Sequence, residues 1–261
     1  MESKKIKISC VSYLNSKPFI YGLQHTSVKD NIELQLDIPS VCARKLIENE
    51  VDIGLIPVAV LPELKEHYII SDYCIGANGE VGSVLLLSDA PLNEIKTILL
   101  DYQSRTSVML IKVLAEKFLN IKPSWKDGTE NYENMISGTT AGVVIGDRAF
   151  YLKEKFKYVL DLALVWKKFT NLPFVFACWT SNKKLSADFI QQLNEAFASG
   201  LSHILEVAEE SKIDHPSIDI RDYFENKISF TFDQEKKKSL GVFLQYIREL
   251  KIFEVQKSSV K

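Results

Sequence analysis

The chain has 261 residues, which is enough for one large domain or for two lobes of ordinary size. Its 32 Lys and Arg residues nearly balance its 34 Asp and Glu residues, giving a net charge of −2. This balance excludes the broad positive field that binding to nucleic acid or to an anionic membrane surface requires. An anionic ligand would therefore need positive potential from a helix N-terminus or a single side chain.

The first third of the chain alternates strand and helix patterns. "KIKISCVS" predicts a strand, and "SKPFIYGLQ" predicts a helix with Ser16 as its N-cap and Pro18 in its first turn. "IELQLDIP" predicts a second strand, "SVCARKLIENE" a helix capped by Ser40, and "VDIGLIPVAVL" a buried strand that ends at Pro57. "YIISDYCIGAN" and "GSVLLLS" predict two more strands around a loop that contains glycine.

A second series of strand and helix patterns follows. "IKTILLD" predicts a strand, "SRTSVMLIKVLAEKFL" an amphipathic helix, and "AGVVIGDRAF" a strand and turn, while "YVLDLALVWKKFT" and "LPFVFACWTS" have further strand character. The last third has the pattern of long amphipathic helices. The order predicts an α/β protein with two lobes built on parallel sheets and a cleft between them. Breaks at 88–91 and 178–181 divide it into lobe one, 1–88 plus 181–261, and lobe two, 89–180.

Targeting and metal-binding patterns are missing from the sequence. No segment has the roughly 18 consecutive apolar residues of a membrane span, and "MESKKIKISCVSY" lacks the pattern of a signal peptide. The four cysteines and four histidines are scattered, without the spacing of metal ligands. Phosphate-loop, dinucleotide and nucleophile-elbow motifs are also missing. We therefore expect a cytoplasmic protein without a metal or cofactor, whose cysteines are buried and reduced.

Five loops are expected to meet at one cleft, because ligands of open α/β sheets bind beyond the carboxyl ends of the strands. The loops are "SYLNSKPF", "IP" at 56–57, "GANGEVGS", "YQSRTS" and "DRA". Asn15 offers a short amide that donates and accepts hydrogen bonds, or else it serves a left-handed turn. Ser83 follows Gly79 and Gly82, which let the backbone approach a ligand, or else it merely begins a strand.

The other polar candidates also have two interpretations each. Thr106 and Ser107 open the strongest predicted helix, so they can present hydroxyl and N–H groups to a carboxylate, or they can serve as an ordinary N-cap. Asp147 and Arg148 can face the cleft or form an ion pair within a turn. Four aromatic residues can belong to the core or stack on a ligand: Trp166, Phe174, Phe176 and Trp179.

Six stretches taken together resemble the chorismate dehydratase family. They are "VSYLNSKPF", "DIGLIPV", "CIGANGEVGSVLL", "SRTS", "VIGDRA" and "TNLPFVFACW", in the same order over roughly the first 180 residues. The resemblance implies the two-lobed fold of the type II periplasmic binding proteins, with the ligand cleft between the lobes. It also implies dehydration of chorismate to 3-[(1-carboxyvinyl)oxy]benzoate on the futalosine route to menaquinone, without metal or cofactor.

The resemblance also assigns roles to individual residues. It places catalytic positions on Asn15 and Ser83 and a carboxylate-binding pair on Thr106 and Ser107. The remaining expected substrate-binding positions are Ser12, Tyr13, Ile56, Pro57, Gly82, Gly146 and Asp147. The partner is then a small dicarboxylate, chorismate, whose two carboxylates suit helix N-termini. Nothing in the sequence calls for an obligate protein partner.

The proton acceptor and the activity each keep alternatives. The base can be Glu80, Asp147, or the enolpyruvyl carboxylate of the substrate held by Asn15 and Ser83, which we favour. A solute-binding protein of the same fold is one rival. The sister 1,4-dihydroxy-6-naphthoate synthase is another, but it uses a histidine, and no histidine lies in the expected cleft loops.

Overall fold

The computed structural model describes residues 5–258, and side chains only as far as residue 250. Within this range the strands are β1 (Ile6–Val11), β2 (Ile32–Asp37), β3 (Ile53–Pro57), β4 (Tyr68–Ala77), β5 (Val84–Ser88), β6 (Thr97–Leu100), β7 (Ser124–Asp127), β8 (Thr140–Ile145), β9 (Tyr158–Asp161), β10 (Phe174–Ser181) and β11 (Ser229–Thr231). The α-helices are α1 (Lys17–His25), α2 (Pro39–Ile47), α3 (Arg105–Leu114), α4 (Asp147–Leu152), α5 (Leu162–Thr170), α6 (Ala187–Ser202), α7 (Ile204–Ser211), α8 (Ile220–Asp222) and α9 (Gln234–Ser258).

The strands form two sheets, each in its own α/β layer. The first has the order β11-β4-β10-β3-β1-β2, and the second has the order β7-β6-β8-β5-β9. Pairing is parallel among β1, β2 and β3 and among β6, β7 and β8. It is antiparallel where β10 meets β3 and β4 and where β5 meets β8 and β9. The α/β prediction is confirmed, but the prediction of purely parallel sheets is wrong because the strands next to the crossings run in reverse.

The chain changes sheets earlier than the sequence breaks predict. β4 belongs to the first sheet and β5 to the second, so the first crossing lies at 78–83 rather than 88–91. β10 belongs to the first sheet throughout, so the return crossing lies at 162–173 rather than 178–181. We therefore propose these two segments as the boundaries between the lobes. Sheet membership depends on distant pairing, which local turn signals do not report.

Three local predictions need correction. Helix α2 begins at Pro39 with Ile38 as its N-cap, so Ser40 lies inside the first turn and caps nothing. Ser16 precedes α1 as predicted, but its side chain makes no capping bond. The segment read as a strand over "YVLDLALVWKKFT" divides into β9 and α5, since the Asp161 side chain accepts from Leu164 N and starts a helix there.

Large aromatic side chains fill the core behind the first sheet. Trp179 stacks on Phe197 at 4.6 Å between ring centroids, and Phe19 meets both rings edge-on. Trp166 is also fully buried and donates to Ser239 Oγ at 3.0 Å. Among the four predicted aromatic candidates only Phe176 reaches the cavity described below, so the core interpretation holds for the other three.

The cysteines and the possibility of a membrane-spanning helix were also considered from the sequence. All four cysteines are free and buried, and burial raises the pKa of the Cys74 thiol to about 12, as expected for inert core residues. Among the residues that the structure describes, no helix is both long enough and apolar enough to cross a membrane.

Candidate functional site

A cavity lies between the two sheets, at the strand ends where the cleft loops were predicted to meet. It holds about 530 Å³ of empty space, counting the solvent at its mouth. Six polar residues line it: Tyr13, Asn15, Ser83, Ser104, Thr106 and Ser107. The rest of its wall is apolar or glycine: Val11, Pro39, Pro57, Ile75, Val81, Val84, Ile145, Gly146, Phe176 and Ala177.

Asn15 reaches the cavity from the loop that follows β1. It lies in a short 3-10 turn over Leu14–Ser16, directly before α1. Its φ is not positive, which rules out the left-handed turn as the reason for an asparagine here. Its Oδ1 lies 3.2 Å from the Ser16 hydroxyl, which donates to Val11 O at 2.7 Å. The amide is thus held at the end of a buried strand and faces the cavity.

Ser83 lies at the first crossing between the sheets, and its backbone is held by residues of the second sheet and the loop after β8. Gly82 precedes it with a φ of +72°, a conformation that a glycine adopts without strain. The Asp161 carboxylate accepts from Val81 N at 2.9 Å and from Gly82 N at 2.7 Å, which fixes the turn. The carbonyl of Ser83 accepts from Gly146 N at 2.9 Å. The buried Ser83 hydroxyl therefore has a rigid backbone beneath it.

The N-terminal turn of α3 contributes Ser104, Thr106 and Ser107 to the cavity wall. The hydroxyl groups of the predicted carboxylate-binding pair, Thr106 and Ser107, have different partners there. The cap is Ser104, whose Oγ accepts from Ser107 N at 3.0 Å. The Thr106 hydroxyl donates to Phe176 O at 3.0 Å and accepts from Ala59 N at 3.3 Å, so it ties α3 to the first sheet. The Ser107 hydroxyl has no hydrogen-bond partner in the described part of the chain, although the residue is buried against the cavity.

Tyr13 and Gly146 close one end of the cavity. The Tyr13 hydroxyl donates to Gln103 Oε1, which joins the loop after β1 to the loop after β6. Gly146 has a φ of +66°, and a Cβ at this position would lie 2.9 Å from the Tyr13 ring. Burial raises the pKa of Tyr13, and the Asp101 carboxylate raises it further, so its hydroxyl stays protonated.

Asp147 lies beside the cavity but not in its wall. Its carboxylate oxygens accept from Leu14 N at 3.2 and 3.3 Å, and His215 Nε2 lies 3.7 Å away. Burial raises the pKa of Asp147, while the Leu14 N–H and His215 act in the opposite direction. His215 also bonds through Nδ1 to the Tyr151 hydroxyl at 3.0 Å. The sequence analysis placed no histidine in the cleft loops, but the fold brings His215 to Asp147, beside the cavity.

Arg148 turns away from Asp147, so the predicted ion pair within that turn is wrong. Its Nη2 donates to Asp101 Oδ2 at 2.7 Å, and Nη1 lies 3.5 Å from Glu133 Oε2. Asp101 also accepts from the Tyr132 hydroxyl at 2.9 Å and is fully buried. Arg148 thus neutralises a buried carboxylate instead of facing a ligand.

Four of the expected contact residues lie outside the cavity wall. Ser12 is exposed, and its N–H donates to Asp37 O at 2.9 Å. Ile56 is fully buried in β3, while its neighbour Pro57 reaches the cavity. Gly82 lies in the turn before Ser83 and donates its N–H to Asp161, and Asp147 accepts from Leu14 N. The structure brings the other seven together in the wall: Tyr13, Asn15, Pro57, Ser83, Thr106, Ser107 and Gly146.

Tyr223 is a site residue that the sequence reading missed. It comes from the segment between α8 and β11, far along the chain, and its hydroxyl lies 2.8 Å from Ser83 Oγ. Burial raises its pKa, and hydrogen-bonding contacts from Ser83 and Asn15 only partly offset that effect. A lone tyrosine after a helix carries no local signal, so only the fold could reveal this contact.

The wall of the cavity has hydrogen-bonding groups but no charge of its own. Neither a lysine nor an arginine is among the described residues that line it. Glu80 is half-exposed and pairs with Lys227 Nζ at 2.7 Å on the outer surface. Within the described residues, no three His, Cys, Asp or Glu side chains come together as metal ligands. The site can therefore orient an anion through α3 and neutral donors.

Two α/β layers with a cavity between them define a protein of the periplasmic-binding-protein fold class. A Candida albicans gene product described as having the generic periplasmic binding protein fold superposes with a TM-score of 0.58 at 15% identity, covering 95% of this chain and 94% of that one. A protein from Archaeoglobus fulgidus gives a TM-score of 0.74 at 15% identity, covering 97% and 100%. These likenesses confirm the predicted two-lobed fold.

The chain belongs to the menaquinone biosynthesis family, whose model matches residues 6–249. It is similar to the chorismate dehydratase of Thermus thermophilus, at 28% identity over 192 residues, 66% of this chain and 70% of that protein. It is also similar to the chorismate dehydratase of Campylobacter jejuni, at 26% identity over 250 residues, 93% of this chain and 97% of that protein. The resemblance to the chorismate dehydratase family is confirmed.

Proposed function

We propose that the protein is a cytoplasmic hydro-lyase that converts chorismate to 3-[(1-carboxyvinyl)oxy]benzoate and water on the futalosine route to menaquinone, without metal or cofactor. The observation that carries the proposal is that Asn15, Ser83 and the N-terminal turn of α3 line one cavity. These are the positions to which the family resemblance assigns catalysis and carboxylate binding.

The residues of this cavity suit the chemistry of the proposed dehydration. The proton leaves ring C3, hydroxide leaves C4, and the ring becomes aromatic, so the products are strongly favoured. Charge that builds up at C3 spreads toward the ring carboxylate, which α3 and the Ser107 hydroxyl can stabilise. The enzyme then has to hold the substrate in the reactive geometry and exclude water.

The contacts of the two protein carboxylates support the substrate's own enolpyruvyl carboxylate as proton acceptor. Glu80 lies on the outer surface in an ion pair with Lys227, and Asp147 is engaged by Leu14 N. Neither residue lines the cavity. A base carried by the substrate needs only to be held over C3, and Asn15 and Ser83 supply neutral hydrogen bonds for that purpose.

The test is incubation of the purified protein with chorismate. We expect a new aromatic absorbance together with a product lighter by one water in the mass spectrum. An Asn15→Ala variant is expected to lose turnover while its fold is retained. Binding of chorismate without any conversion would refute the dehydratase and favour the solute-binding alternative. Conversion to a different product would refute the assigned substrate chemistry.

A further inference from the structure

The Tyr223 hydroxyl hydrogen-bonds to Ser83, one of the two side chains on which the proposed reaction depends. It lies 2.8 Å from Ser83 Oγ. Because Tyr223 lies between α8 and β11, this bond ties the first crossing to a distant part of the chain. Tyr223 is itself fully buried and is not part of the cavity wall.

Tyr223 is anchored through both its ring and its backbone. Its ring meets Phe150 of α4 edge-on at 4.9 Å, and its N–H donates to Asp219 O at 3.0 Å. It begins a π-helical turn over Tyr223–Lys227, a distortion found often at functional sites. Asp219 caps the preceding α8 by accepting from Asp222 N at 3.0 Å. The phenol oxygen therefore has a fixed place beside Ser83.

A serine hydroxyl needs a fixed hydrogen-bond partner if it is to keep a single orientation. Rotation about the Ser83 side-chain bonds gives its oxygen three staggered positions and its hydrogen a free rotor. A bond to a fixed phenol selects one of these positions and leaves the remaining hydrogen-bonding capacity of Ser83 toward the cavity. Burial raises the pKa of Tyr223, so the phenol keeps its proton and remains neutral.

We propose that Tyr223 is a positioning residue that fixes the Ser83 hydroxyl in the geometry that the reaction requires. This inference rests on the proposed dehydration of chorismate for its kinetic consequence. Tyr223 acts through Ser83 and does not touch the substrate. Its role is separate from that of Tyr13, which lines the cavity directly.

The first test is a kinetic double-mutant cycle with Tyr223→Phe and Ser83→Ala. Tyr223→Phe keeps the buried ring and removes only the hydroxyl. We expect kcat to fall by about 10- to 100-fold, the scale of small losses of orientation, with KM within about threefold of the wild type. In the Ser83→Ala background the same change is expected to alter kcat less than about twofold, because the residue to be positioned is gone.

Tyr246→Phe is the matched control, since Tyr246 lies on α9 against Trp166 and does not line the cavity. Its kcat is expected to equal that of the wild type. If Tyr223→Phe keeps full kcat, or lowers kcat equally with and without Ser83, the positioning role is refuted.

A second readout does not depend on turnover. Crystal structures of the wild type and Tyr223→Phe are expected to show Ser83 in one rotamer in the former and in more than one, or a different one, in the latter. An unchanged single rotamer would refute the proposal. A wild type that leaves chorismate unaltered would refute the proposed function alone, and the rotamer comparison would still decide the role of Tyr223.

Discussion

Thr106 and Ser107 are adjacent on one turn of α3, but only the Thr106 hydroxyl is engaged in hydrogen bonds to the backbone of the first layer. Thr106→Val keeps the shape of the side chain and removes its bonds to Phe176 O and Ala59 N. Both backbone groups are buried, and an unpaired buried group costs about 1–3 kcal/mol. The Ala59 contact is long at 3.3 Å, so we expect a total loss of about 2–4 kcal/mol in the free energy of unfolding.

Ser107→Ala is expected to have the reverse effect. The N–H of residue 107 still donates to Ser104 Oγ after the change, so the helix keeps its cap. The stability of the ligand-free protein should stay within about 0.5 kcal/mol of the wild type. Loss of a hydrogen bond to a charged group is worth about 1–3 kcal/mol, which lowers kcat/KM for chorismate by about 5- to 150-fold.

Urea unfolding of the ligand-free proteins and initial rates with chorismate separate the two effects. Each variant serves as the control for the other, because both lie in the same turn and remove one hydroxyl. The assignment is refuted if Thr106→Val keeps wild-type stability while kcat/KM falls, since that result would place its hydroxyl on the ligand. Equal losses of stability in both variants would refute it as well.

Further predictions concern strain, pH, metals and closure. Gly146→Ala should destabilise the fold by about 1–3 kcal/mol, measured by urea unfolding, because its φ is +66° and the new Cβ would press on Tyr13. Burial raises the pKa of Asp161, so its folded state holds the proton more tightly than the unfolded chain. The wild type should therefore lose stability relative to Asp161→Asn as the pH rises from about 4, and the difference should level off above the folded pKa. A chelator should leave the rate of chorismate conversion unchanged, whereas loss of activity that is restored by a metal would contradict the cofactor-free reaction. Asn15→Ala should keep ligand-induced thermal stabilisation and compaction in small-angle scattering while turnover is lost, and an unchanged profile with saturating ligand would indicate a rigid cleft.

The sequence predicted those elements whose patterns are long or strongly alternating. Strand β3 ends at Pro57 as expected. Helix α3 was predicted because its apolar residues recur at helical spacing, and it begins after its N-cap, Ser104. Four of the five predicted loops contribute residues to the cavity wall, but the "DRA" loop contributes none. Strand β7 was not predicted, because "SWKD" is short and only partly buried.

Distant contacts account for what the sequence could not show. The pairing of β5 with β8 and β9 moved the crossing away from 88–91, and no local pattern reports which sheet a strand joins. The ties that hold Thr106 and Asp147 come from remote backbone groups, so residue types alone could not decide which polar group stays available to a ligand. Tyr223 shows this most clearly, because its hydrogen-bond partner Ser83 lies 140 residues away in the sequence.

The ties across the cavity also bear on how a substrate enters. Three backbone N–H bonds join the first layer to the second: Leu14 to Asp147 at 3.2 and 3.3 Å, Ser40 to Gln103 O at 3.2 Å and Ala59 to Thr106 Oγ1 at 3.3 Å. All are at the long end of the hydrogen-bond range, whereas Gly82 N donates to Asp161 at 2.7 Å within the supporting turn. Two further bonds cross the cavity: the Thr106 hydroxyl donates to Phe176 O at 3.0 Å, and the Tyr13 hydroxyl donates to Gln103 Oε1. Separation of the layers to admit substrate therefore has to break these ties together, whereas the turn that carries Ser83 is held independently by the Asp161 carboxylate.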